Sequence, residues 1–161
     1  MPYAHPFEAV LRGKLAELLR GGESARPALE LMREFPFAKA GGVVDPLPYS
    51  VWSQVVHLRI SQDDIIEFSR DPGYVSPAWP EDHWPKELAP ADEAEWNAEI
   101  ERFAAGLDTM ARMVVDPEFE LMAPFPWGEG QTLFRQAVML AKHNAYHAGQ
   151  IVVIGRQLGV W

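Results

Sequence analysis

Along the chain, stretches whose apolar residues recur every three or four positions alternate with connections rich in Pro, Gly and aromatic rings. Phe7, Val10, Leu11, Leu15, Leu18 and Leu19 repeat in this way after Pro6, which suits a first helical turn, and Gly21-Gly22 supplies a stop. A short helix is expected around Ala28 to Arg33, followed by "FPFAKAGGVVDPLPY", where Pro and Gly break any longer period. Ser50 can cap a second long helix that runs to about Arg70 and ends at "DPG". Trp96, Ile100, Phe103, Leu107, Met110 and Val114 step by fours and threes. They give a third long helix, from about Asp92 to Val115, one core-facing stripe opposite a face rich in Glu and Asp. Thr132 can cap a fourth that runs to about Leu158 and turns Leu133, Leu140, Ile151 and Ile154 towards a core. "GGVVD" is the only strand candidate and is too short to build a sheet. The expected fold is therefore all-α, an up-down four-helix bundle with long connections over its surface.

Composition narrows the partners. At 161 residues and 48% hydrophobic content, the chain reads as one domain spanning 1–161. A formal charge of -9 with no Lys/Arg run offers nothing to a nucleic-acid backbone or an anionic membrane surface, which leaves small molecules and proteins. The N-terminus has no apolar core of signal-peptide type and no stretch is apolar enough to span a bilayer, so a cytoplasmic protein is expected. There are no cysteines, so any metal must be held by His or carboxylate.

Two histidines then stand out. In "HNAYHAGQ", residues 143 to 150, His143 and His147 lie one turn apart and share a face with Met139, Leu140, Gln150, Ile151 and Ile154. Two neutral imidazoles in an apolar setting must each satisfy a donor and an acceptor, and a shared metal ion would take both acceptors. A pair bonded to backbone or water would serve equally well, so a third ligand has to be found. His57 is the candidate: its helical face also carries Ser53, Ser61 and Asp64, a polar strip among Val55, Val56, Leu58, Ile65 and Ile66 that suggests a lined cavity. At about 1.5 Å rise per residue, His57 lies roughly 10 Å and His143 roughly 17 Å from the starts of their helices. The second and fourth helices of an up-down bundle run parallel, which would set the three rings at similar depth. The alternative is a solvent-facing His57 beside ordinary surface serines.

With "WSQVVHLRISQDDIIEF" on one helix and "KHNAYHAGQIVVIGRQLG" on another, the chain resembles the DinB-like family of four-helix metalloproteins over nearly its whole length. The resemblance implies that His57, His143 and His147 bind a divalent metal ion, zinc or nickel first, with iron or manganese also compatible, and that the protein is a homodimer. It also implies a small-molecule substrate, since characterised relatives include transferases and isomerases that use low-molecular-weight thiols such as bacillithiol or mycothiol. Three His ligands leave zinc an open position, where it can lower the pKa of bound water to about 7 or hold a thiol as thiolate. A thiol-dependent transferase, a metal-dependent hydrolase and a non-catalytic metal-binding dimer are thus the functions to separate. Ser53 and Ser61 are expected nearest the ion. Asp64 and Gln150, seven residues from a ligand and about 10 Å along the axis, are expected to line the pocket without touching it.

The two aromatic connections remain. "DPGYVSPAWPEDHWPKELAP", residues 71 to 90, carries Trp79, His83 and Trp84 among five prolines, and reads either as a pocket lid or dimer contact or as a stiff crossover that seals the core. "DPEFELMAPFPWGEG", residues 116 to 130, invites the same two readings through Trp127.

Overall fold

The structure, a computed structural model, describes residues 6–22, 24 and 26–161. Its helices are α1 (Pro6–Leu19), α2 (Ala28–Glu34), α3 (Val51–Arg70), α4 (Glu93–Val115) and α5 (Leu133–Gln157), and there is no strand among the described residues. Val43 of "GGVVD" makes one isolated bridge to Ser50 and nothing more. The caps at Ser50 and Thr132 are those the sequence indicates, and Asp92 adds a third. Ser50 Oγ accepts from the Ser53 amide at 3.1 Å while the Ser50 amide donates to Ser53 Oγ, a reciprocal capping box; Asp92 and Thr132 accept from the amides of Glu95 and Arg135.

The order of the helices differs from the up-down expectation. α3 packs on both α4 and α5, and α1 packs on the other sides of both. Ring and side-chain contacts pair Trp52 with Trp96, Arg59 with Glu99 and Gln62 with the Phe103 carbonyl, so α3 and α4 run parallel. Gln54 meets His147, His57 meets His143, and the Phe68 carbonyl meets Trp127 just before α5, so α3 and α5 run antiparallel rather than parallel. The physical reason is the connection between α3 and α4. It travels back along α3, with His83 beside His57 and the Leu88 carbonyl accepting from Ser50 Oγ at the start of that helix. A crossover of that length lets α4 begin at the same end as α3.

Apolar residues gather into two cores. One is built by α2 with the first half of α3, the first half of α4 and the end of α5; the other joins α1 to the remaining halves. Between them lies a belt of buried polar side chains that includes His57, Ser61, Gln62, Asn144 and His147. Gly106 allows α3 and α4 to close at this level, since a Cβ there would stand 2.0 Å from Gln62 Nε2. On α1 the expected stripe is corrected: Leu15, Ala16 and Leu19 are buried, whereas Phe7, Val10 and Leu18 face outwards. The reason is Arg12, which occupies the inward face at 2% exposure. It donates to the carbonyls of Val114, Asp116 and Phe119 at 2.8, 3.0 and 2.8 Å, satisfying the end of α4.

Candidate metal centre

His57, His143 and His147 converge, each offering a ring nitrogen within 4.8 Å of the others. His57 Nε2 and His143 Nε2 are 3.1 Å apart, close to the roughly 3.3 Å edge of a tetrahedron of nitrogens around zinc. Two of the rings are fixed from behind. His57 Nδ1 lies 2.8 Å from the carbonyl of His83, which can only accept, so the proton is on Nδ1 and the Nε2 lone pair faces the cluster. His147 Nδ1 donates in the same way to Gln54 Oε1 and to Gln150 Oε1, the latter at 2.9 Å. Such oxygen partners behind a histidine set the tautomer and raise its strength as a ligand. His143 Nδ1 has no partner, so nothing fixes this ring from behind, and its hydrogen bond is the Nε2 contact with His57. The donor set, three imidazoles with two lone pairs aimed inwards, fits a divalent transition ion.

Aromatic rings wall the centre. Trp84 stacks face to face on His57 at 3.9 Å between centroids and 1° between planes, and Tyr49 stacks behind Trp84 at 5.9 Å. Tyr146, largely exposed, sets its ring edge-on to His147 at 5.0 Å. Trp79 is 69% exposed, with its centroid 6.4 Å from that of His57. The crossover therefore supplies the site with a carbonyl and a stacked ring. In the second connection, Trp127 donates to the Phe68 carbonyl at 2.8 Å and stacks on Phe125, tying the end of α3 to the start of α5.

The other expected residues are distributed more widely. Ser53 is engaged in the capping box of α3, and Ser61 is buried one turn beyond His57. Asp64 points its Oδ2 towards His83 Nε2 at 3.7 Å, so the His83 ring turns to Asp64 while only its carbonyl reaches the cluster. Gln150 touches the centre after all, because it is three residues from His147 as well as seven from His143. Met139, expected on the buried face, is 43% exposed. Gln54 was not anticipated, although its place three residues before His57 puts it on the same helical face.

Burial pushes the pKa of all three imidazoles down: His143 to about 3, helped by the positive charge that His147 and His57 would carry, and His147 to about 4. All three are neutral at pH 7 and ready to bind a cation without first losing a proton. Unfolded histidines titrate near 6.5, so the unfolded chain takes up protons first as the pH drops. In the metal-free protein this stability is fully present above about pH 6.5 and is lost as the pH falls towards 4. Melting curves of chelator-treated protein between pH 7.5 and 4.5 should show the midpoint falling with pH, and a flat profile would contradict the buried neutral state.

No family model, curated protein or solved structure matches the chain. Fold and site together define an all-helical protein with a buried cluster of three histidines that could hold a metal ion. No helix among the described residues is long and apolar enough to cross a membrane.

Proposed function

We propose that the protein is a divalent-metal-dependent enzyme of the DinB-like four-helix type, working as a homodimer on a small molecule, and that its reaction is thiol-dependent transfer. The observation that carries this reading is the convergence of His57, His143 and His147, with two of the rings oriented by oxygen acceptors. Bound there, zinc or nickel, or failing these iron or manganese, would supply a double positive charge that three neutral ligands leave uncompensated, which favours a thiol in its ionised form at neutral pH. The chain contains no cysteine, so the thiol is brought by the substrate. Trp84 and the His83 carbonyl hold His57 in place and keep water from its outer face.

Hydrolysis would ask for a general base beside the ion, and Asp64, the carboxylate on this face of α3, is directed at His83 instead. That favours transfer. The test is to load untagged protein with cobalt and titrate it with bacillithiol, mycothiol and glutathione. A saturable thiolate-to-cobalt absorption band is expected with at least one of them. Cobalt bound at the histidines without any spectral response up to millimolar thiol would overturn the transferase reading and leave a structural metal.

A further inference from the structure

The histidine cluster is not closed on every side. His57 and His147 are buried whereas His143 is only half-buried, so the centre meets solvent at that ring. Two aromatic side chains reach the cluster and still face water. Trp79 comes within 6.4 Å of the His57 ring and Tyr146 within 5.0 Å of the His147 ring, centroid to centroid, at 69% and 65% exposure. No other described Trp or Tyr is more than 39% exposed, so the two most open of these rings both lie beside ligands of one centre.

Neither ring is exposed through slack in the chain. Tyr146 stands on α5 between His143 and His147. Around Trp79 the crossover is tied into a closed turn: the Ala78 amide donates to Asp82 Oδ2 at 3.2 Å, and the Asp82 amide donates to the Ala78 carbonyl at 2.9 Å. The Trp79 ring also meets that of His83 edge-on at 5.1 Å. A turn that holds an indole out in water beside a buried polar cluster leaves apolar area for a bound ring to cover. Charge narrows the class of that ring. Glu81 and Asp82 follow Trp79 as exposed carboxylates, so an anionic body would meet repulsion. We propose that Trp79 and Tyr146 form a subsite for an uncharged aromatic body, carried by the molecule that accepts the thiol. The inference rests on the metal reading of the histidines and names the class of co-substrate.

The test uses hydroxamates, which bind an open position of a divalent ion whatever reaction that ion serves. The zinc-loaded full chain is titrated by calorimetry with acetohydroxamate, octanohydroxamate, 2-naphthohydroxamate and the naphthyl probe carrying a carboxylate on its outer ring. The naphthyl probe should bind about tenfold more tightly than the octanoyl probe, the increment of one or two aromatic contacts beyond area burial, and more tightly than its carboxylate derivative. Trp79→Ala and Tyr146→Ala should each remove most of that preference, and Trp79→Phe should keep it. All three should leave metal content and acetohydroxamate affinity unchanged. Equal affinity for the naphthyl and octanoyl probes, a preference that survives both alanine substitutions, or a matching loss of acetohydroxamate binding would each overturn the subsite, as would a chain that holds no zinc. Thiol titration is a separate measurement: a naphthyl preference without any response to thiols would remove the transferase reading and keep the subsite.

Discussion

Replacing His147 by Ala is expected to take the metal content of untagged protein from about one ion per chain to background, because two imidazoles no longer make up a site for zinc or nickel. The same substitution should erase the response to chelation. A bound ion at one hundred times its dissociation constant stabilises the folded state by roughly 2.7 kcal/mol, which for a chain of this size corresponds to roughly 5–10 °C in melting temperature. The unmodified protein should lose that increment with EDTA, whereas the His147→Ala protein should melt at the same temperature with or without it. His83→Ala is the control, since its ring faces Asp64 and its contribution to His57 is a backbone carbonyl that the substitution keeps. That variant should retain its metal. Full metal content in His147→Ala would remove the three-histidine centre, and with it the proposed chemistry.

The largest effect on stability is expected at Arg12, far from the histidines. Arg12→Ala deletes a guanidinium at 2% exposure and leaves the carbonyls of Val114, Asp116 and Phe119 without that donor, along with a cavity in the face of α1. Breaking such a buried charged network costs about 3–5 kcal/mol. Urea unfolding should show the midpoint falling with little change in slope. Arg12→Lys should recover only part of the loss, since an ammonium cannot span three carbonyls as the planar fork does. A loss below about 1 kcal/mol for Arg12→Ala would show that water replaces the guanidinium at the end of α4.

Arg12 also shows where periodicity misleads. The apolar repeat of α1 includes Phe7, Val10 and Leu18, yet these lie at the surface, because the helix leans on α4 and α5 with the face that carries Arg12, Leu15 and Leu19. Six apolar residues around a helix cannot say which arc meets a neighbour. The stripe on α4 is narrower, and Trp96, Ile100, Phe103, Leu107, Met110 and Val114 are all buried. The caps at Ser50 and Thr132 were legible for a different reason: a cap is a contact between residues two or three apart, and no tertiary information is needed to place it.

The candidate centre divides along the same line. That His143 and His147 share a face follows from helical geometry, and the polar strip around His57 singled it out among apolar neighbours before any fold was known. The groups that orient the rings were harder to see. Gln54 lies one turn from His57 but binds His147 across the helix interface, and the acceptor for His57 is a backbone carbonyl, which carries no side-chain signature at all. Trp84 was visible as an aromatic residue in a stiff loop, but its stacking on His57 depends on the course of that loop.

By itself, therefore, the sequence determined the helices, their caps, the absence of any cysteine ligand and the identity of three histidines on two apolar helices, all properties set by residues within a few positions of one another. Only the tertiary structure decided the direction of α5 against α3. The parallel expectation assumed that successive long helices alternate in direction, and the crossover from Arg70 to Glu93 instead runs back along α3 and starts α4 beside it. That one reversal brings Gln54 level with His147 and His57 level with His143, and it places the His83 carbonyl behind the first ligand.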